Sequence, residues 1–114
     1  MKHTMGLYKT YFDHIKEGKK TVEVRLFDQK RRKIEVGHII EFIKLPEQND
    51  SLTVEVTKLR NFDTFKQLYE TIPFEDLGGE GWTLDEMLKG TYEIYTPEQE
   101  KKWGVLAIKL RYLK

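Results

Sequence analysis

Across Gly18 the hydrophobic period of this chain changes from that of a helix to that of a strand. Before it, Tyr8, Tyr11, Phe12 and Ile15 fall at i, i+3, i+4 and i+7, one apolar stripe on a helix running from about Tyr8 to Glu17. After it, Val22, Val24 and Leu26 alternate with Thr21, Glu23 and Arg25, the period of a half-buried strand that turns its polar members to one face. A chain that switches period within a few residues must pack a helix against a sheet. Further strands read at His38 to Lys44 and Leu52 to Leu59. Asn61 stands where it can cap a second helix, with Phe62, Phe65, Leu68, Tyr69 and Ile72 along one side and Pro73 ending it.

Thr83 and Glu86 have capping-box spacing and open a short helix that reaches about Lys89 and stops at Gly90. Thr96, Pro97 and Gln99 repeat the device, with proline at the first helical position where its missing N–H costs nothing. The last strand reads from Trp103 to Tyr112. Leu106, Ile108, Leu110 and Tyr112 share one of its faces, and Trp103 reads as core. No repeat, low-complexity tract or linker divides the 114 residues, so residues 1–114 are expected to form one α+β domain, a mixed β-sheet or barrel with helices packed outside.

Composition narrows the chemistry. There is no cysteine, which removes a disulfide framework, thiol catalysis and thiolate zinc sites. His3, His14 and His38 lack ligand spacing, so neither metal nor cofactor is expected. No apolar run approaches a bilayer span, and the reading is a soluble, cytoplasmic protein without a membrane partner. Gly78-Gly79-Glu80-Gly81 is rich in glycine but lacks the lysine and hydroxyl residue of a phosphate loop, so it reads as a turn.

The net charge of +1 conceals an asymmetry. Lys16 to Lys33 holds eight basic and three acidic side chains, a net +5, whereas Tyr69 to Glu100 holds one basic and nine acidic, a net −8. Such a field steers an anionic ligand toward the first segment, and a solvated face that keeps the protein in solution accounts for it equally. On the strand from Thr21 to Leu26, Glu23 and Arg25 project to the same face. With Lys20 just before them, they suit a ligand that offers both an anion and hydrogen-bond donors, as a nucleotide does. Spacing alone also fits a surface ion pair of small energetic worth.

The stretch from Ile15 to Arg25, containing Gly18, Lys20, Glu23 and Arg25, resembles the Gly-x-Lys-x-x-Glu-x-Arg motif of the ASCH domain family. Val36 to Phe42, Glu80 to Thr83 and Trp103 to Ile108 resemble further segments of the family, so the resemblance covers nearly the whole chain. It implies a PUA-like mixed β-barrel with flanking helices, and a cleft for RNA or a nucleotide-like ligand framed by Lys20, Glu23, Arg25 and Glu80. On that reading Lys19, Lys20, Arg25, Lys30, Arg31 and Arg32 contact nucleic acid, and Trp82 beside Glu80 can stack on a base.

Members of the wider family hydrolyse an acetylated cytidine with a Lys, a Thr and a Glu. Matched residue by residue, the Lys is Lys20 and the Glu is Glu80, but the Thr position is Glu23 here. A hydroxyl at that place can attack an acyl carbon, whereas a carboxylate would have to form an anhydride or act as a base on water. Thr21 shares Glu23's face and offers a hydroxyl nearby. Binding is therefore the primary reading. A small hydrolase of a modified nucleoside or of RNA, with Lys20 as proton carrier and Glu23 or Glu80 as base, is its enzymatic rival. A protein-interaction module using the acidic Tyr69 to Glu100 segment is the third.

Overall fold

The computed structural model describes all 114 residues. Its elements run β1 (Lys2–Tyr8), α1 (Lys9–Lys16), β2 (Val22–Leu26), β3 (Ile39–Leu45), β4 (Ser51–Phe62), α2 (Phe65–Thr71), α3 (Leu84–Tyr92), α4 (Pro97–Trp103) and β5 (Val105–Leu113), with single 3-10 turns at Arg31–Lys33 and Phe74–Asp76. The five strands form one curled sheet in the order β1-β3-β4-β5-β2. Only β1 and β3 run parallel; the other neighbours are antiparallel. The sheet is a half-barrel, since β1 and β2 are its two edges and share no ladder. The mixed α+β architecture agrees with the sequence reading, and β2 is seated antiparallel beside β5.

Two apolar cores follow from the curl. Inside it, Met5, Leu7, Ile40, Phe42, Val54, Val56, Leu106, Ile108 and Leu110 meet Phe12 and Ile15 from α1. Outside it, Val22, Leu26, Val105 and Ala107 lie under Phe65, Leu68, Tyr69 and Ile72 from α2. β2 and β5 are thus covered on both faces. Glu23 is opposite Ile108 and Arg25 opposite Leu106, so the face these polar residues share is the one toward the inner core, and the alternative of a surface ion pair does not hold.

Several local readings change. β1 was not anticipated. β4 continues through Asn61 and Phe62, which pair with Leu106 and Val105, and α2 begins only at Phe65. Thr64 caps it, accepting a hydrogen bond of 3.1 Å from the Gln67 N–H, so sheet pairing overrides the capping signal of Asn61. Gly90 does not stop α3, which continues to Tyr92, because the buried Thr91 hydroxyl anchors that turn to the Met87 carbonyl (2.8 Å) and to Tyr69 Oη (2.6 Å). Trp103 ends α4 rather than opening β5 and is only partly buried. The capping boxes at Thr83/Glu86 and Thr96/Gln99 are both formed. No helix is long and apolar enough to cross a membrane.

Candidate functional site

The turn after α1 delivers Lys20 to the edge of β2. Both the Lys19 and Lys20 N–H groups donate to the His14 carbonyl, at 2.8 and 3.1 Å. Lys20 then forms an isolated bridge with Leu77, and the Thr21 N–H donates to the Asp76 carbonyl at 2.8 Å, so the Phe74–Asp76 turn closes over this end of the strand. Gly78 fits there because it has no side chain: φ is +76°, and a Cβ would stand 3.1 Å from His14 Nδ1 and 3.3 Å from Lys20 Cβ.

Lys20 and Glu23 are each only 6% exposed. The Lys20 ammonium donates to the Leu77 carbonyl at 3.1 Å and lies 3.2 Å from Glu23 Oε1. Arg25 takes the other carboxylate oxygen, with Nε at 2.9 Å and Nη2 at 2.7 Å from Oε2. Arg25 Nη2 also donates to the Gly6 carbonyl on β1 at 2.8 Å. Burial works to raise the Glu23 carboxyl, but the charges of Lys20 and Arg25 outweigh it and hold the group below the ordinary carboxylate range, so Glu23 is an anion at neutral pH. The cluster is a cation–anion–cation triad with a net charge of +1. One ammonium donor of Lys20 and the Nη1 group of Arg25 have no hydrogen-bond partner in the protein.

Three tyrosines adjoin the triad. The ring of Tyr11 has its centroid 5.6 Å from Lys20 Nζ, and the residue is 40% exposed. Burial pushes the Tyr95 phenol up, despite the pull of Arg25 beside it. Tyr69 is pushed up to about 12 by burial, against its hydrogen bond to Thr91. Sequence reading assigned Tyr11 to the core stripe, because i, i+3, i+4 spacing does not distinguish the centre of a stripe from its rim. The carbonyls of Leu77 and Gly6 leave no sequence signal at all.

Of the residues singled out from the sequence, Lys20, Glu23 and Arg25 come together. Glu80 lies three residues beyond Leu77 on an exposed turn, with no hydrogen bond or ion pair to Lys20. Trp82 is 48% exposed near it. The basic run divides. Lys30 donates to the Thr4 carbonyl at 2.9 Å, Arg31 pairs with Asp28 at 2.9 Å, and Arg32 lies over the Phe27 ring, 4.3 Å from its centroid. Lys19 is exposed and 3.7 Å from Glu17. Thr21 is partly buried beside the triad. In the acidic segment Glu100 is buried, its carboxylate accepting from the Phe65 N–H at 2.7 Å. His3 and His38, remote in sequence, bring Nε2 and Nδ1 within 2.9 Å. No group of three or more His, Cys, Asp or Glu side chains is placed to hold a metal ion.

Residues 5–114 match the family model of the ASCH domain. The crystal structure of hypothetical protein PH0355 has a TM-score of 0.87 at 37% identity, covering 99% of this chain and 100% of that one. The solution structure of protein PF0455 from Pyrococcus furiosus has a TM-score of 0.80 at 33% identity, covering 100% and 99%. An ASCH domain from Lactobacillus crispatus, 14% identical, shares the fold with a TM-score of 0.69 over 96% of this chain and 79% of that one. No curated protein matches the sequence.

Proposed function

This chain belongs to the ASCH domain family, and on that premise we propose that it binds RNA or a nucleotide-like ligand at the Lys20–Glu23–Arg25 cluster. The observation that carries the reading is the pair of cations held on either side of one buried carboxylate at the open edge of the half-barrel, each with donors to spare. A phosphate meets the unspent donors of Lys20 and Arg25, and a base stacks on the Tyr11 ring. Trp82, on the neighbouring turn, supplies a second aromatic face, and Lys19 a second cation at the entrance.

Binding is favoured over hydrolysis by the state of Glu23. A general base works best with a pKa near the operating pH, and a carboxylate held below its ordinary range by two cations is a weak one. Lys20 spends two of its donors on Glu23 and the Leu77 carbonyl, which leaves one for a ligand. Glu80 is free to reach a bound ligand from the turn, and a hydrolytic role would fall to it.

The test is titration of labelled single-stranded RNA oligonucleotides at two salt concentrations. The expected result is affinity that falls as salt rises, with a log–log slope of about −0.7 per phosphate contact. Glu23→Gln is expected to weaken binding of all the oligonucleotides alike, since both carboxylate oxygens are spent on holding Lys20 and Arg25 in place. No measurable binding by the unaltered protein at low salt overturns the reading.

A further inference from the structure

At the far end of β2 from Lys20, the aromatic residues Phe27, Phe62 and Trp103 line one depression with Gly104. Trp103 precedes it in the chain. The Phe27 N–H donates to its carbonyl at 3.0 Å. The Phe62 carbonyl lies 3.3 Å from where a Cβ would stand, and Gly104 itself has φ of +74°. Each ring carries a cation over its face: the Arg32 guanidinium 4.3 Å from the Phe27 centroid, Arg60 5.3 Å from Phe62, and the Lys102 ammonium 4.9 Å from Trp103. Two adjoining depressions, of about 440 and about 330 Å³, share Asp63, Trp103 and Gly104 as walls. Both volumes lie within the range of small-ligand clefts, about 300–1,000 Å³.

We propose that this groove is a second binding site, one that takes bases and phosphates of single-stranded RNA leaving the Lys20–Glu23–Arg25 cluster. The inference rests on the RNA reading of that cluster and adds a path to it. Three features favour RNA over a protein. The rings are partly exposed and each is backed by an apolar core, as a stacking platform requires. The cations over them are on exposed side chains, where ring stacking is weak, so a phosphate can draw a guanidinium or ammonium aside and leave the ring face to a base. Finally, the groove has one exposed carboxylate, Asp63, because Glu100 is buried and spent on the Phe65 N–H and the Tyr92 hydroxyl. Lys20 and Phe27 stand on the order of 20 Å apart at the rise of a strand, a span for several nucleotides and not for one. Arg32, which the sequence assigned to phosphate contact, lies over the Phe27 ring at the rim of this groove and not at the triad.

The experiment compares a mononucleotide, a trinucleotide and a 12-nucleotide oligouridine. The triple variant Arg32→Ala, Arg60→Ala, Lys102→Ala removes exposed cations and leaves the cores intact. It is expected to lose about tenfold or more in affinity for the 12-mer, and its salt slope is expected to become shallower by about 2. Its affinity for the mononucleotide is expected to stay that of the unaltered protein. In a Trp82→Phe background the emission comes from Trp103 alone, and saturating 12-mer is expected to quench it while the mononucleotide does not. Equal binding of the 12-mer by the triple variant and the unaltered protein, or unchanged Trp103 emission at saturation, overturns the groove and leaves the triad reading standing. Failure of the unaltered protein to bind any of the three overturns both. Quenching by a polyglutamate peptide and not by RNA assigns the groove to a protein and overturns the proposal.

Discussion

Arg25 on β2 donates to the carbonyl of Gly6 on β1 across the open edge of the half-barrel, at 2.8 Å. The two edge strands are joined by side chains and not by a ladder, since Lys30 reaches the Thr4 carbonyl in the same way. The residue that pairs with Glu23 therefore also closes the sheet, and the candidate site and the fold share a group.

Removing that group is expected to be costly. Arg25→Ala leaves Glu23 buried with Lys20 as its one remaining cation and frees the Gly6 carbonyl. Breaking a buried ion pair from one side costs about 3–5 kcal/mol. Urea unfolding of Arg25→Ala is expected to show a loss in that range. A loss under about 1 kcal/mol, the worth of a surface pair, would mean that the triad is solvated in solution.

Acid unfolding gives a second prediction. Burial tends to raise the Glu23 carboxyl, yet Lys20 and Arg25 hold it lower in the folded protein than in the unfolded chain. The unfolded chain thus binds the proton first as pH falls, and the stability contributed by this group is present above the ordinary carboxylate value and lost as pH drops through the folded one. In Glu23→Gln the acid limb of a stability–pH curve is expected to be shallower than in the unaltered protein. Parallel curves would refute the assignment.

These consequences were partly legible in the chain. Strand parity places Glu23 and Arg25 on one face, and that pairing is observed. The burial of that face is a long-range fact: it requires β1 to come beside β2, and β1 itself escapes a local reading. His3, Met5 and Leu7 do alternate, but the run passes without a break into the helical spacing that starts at Tyr8. Phe62 and Trp103 fail for a related reason. Each sits at a junction where a helical and an extended pattern overlap, and pairing of Phe62 with Val105 decides for the strand, while the capping box at Thr96 carries α4 as far as Trp103. Capping boxes, by contrast, need only their own four residues, and both anticipated ones formed.

A third prediction concerns Tyr92 and Glu100. The Tyr92 ring is exposed, but its hydroxyl donates to both oxygens of the Glu100 carboxylate, at 2.8 and 2.9 Å. Burial, the hydrogen bond and the negative charge together push the phenol up to about 12. Tyr92 thus keeps its proton longer in the folded state, and its contribution to stability is present below the ordinary phenol value and lost as pH rises through the folded one. Absorbance titration of Glu100→Gln is expected to move one tyrosine part of the way back toward the ordinary range, since the charge is removed and the burial stays. Glu100→Ala is expected to lose about 1–3 kcal/mol as well, because the Phe65 N–H at the start of α2 is left unpaired in the core.

The last prediction separates two neighbouring arginines that the sequence treats alike. Arg31 has a side chain 19% exposed and is tied to Asp28 through Nη1 at 2.9 Å, so its charge is already answered by a carboxylate. Arg32 is exposed and rests on the Phe27 ring with no carboxylate partner. A phosphate contact requires a cation that can be given up without cost, and only Arg32 meets that condition. Arg32→Ala is therefore expected to make the salt dependence of RNA affinity shallower by about 0.7, one phosphate contact for a single strand. Base preference should stay unaltered, because phosphate contacts position the ligand without reading it. Arg31→Ala is expected to leave the slope where it was and to lower stability instead, since Asp28 then loses its ion pair while the backbone N–H of residue 31 still donates to it. Titrations of the two variants with one oligonucleotide at two salt concentrations, beside their urea unfolding curves, distinguish the roles. Equal changes of slope would show that the Arg31–Asp28 pair opens when RNA arrives.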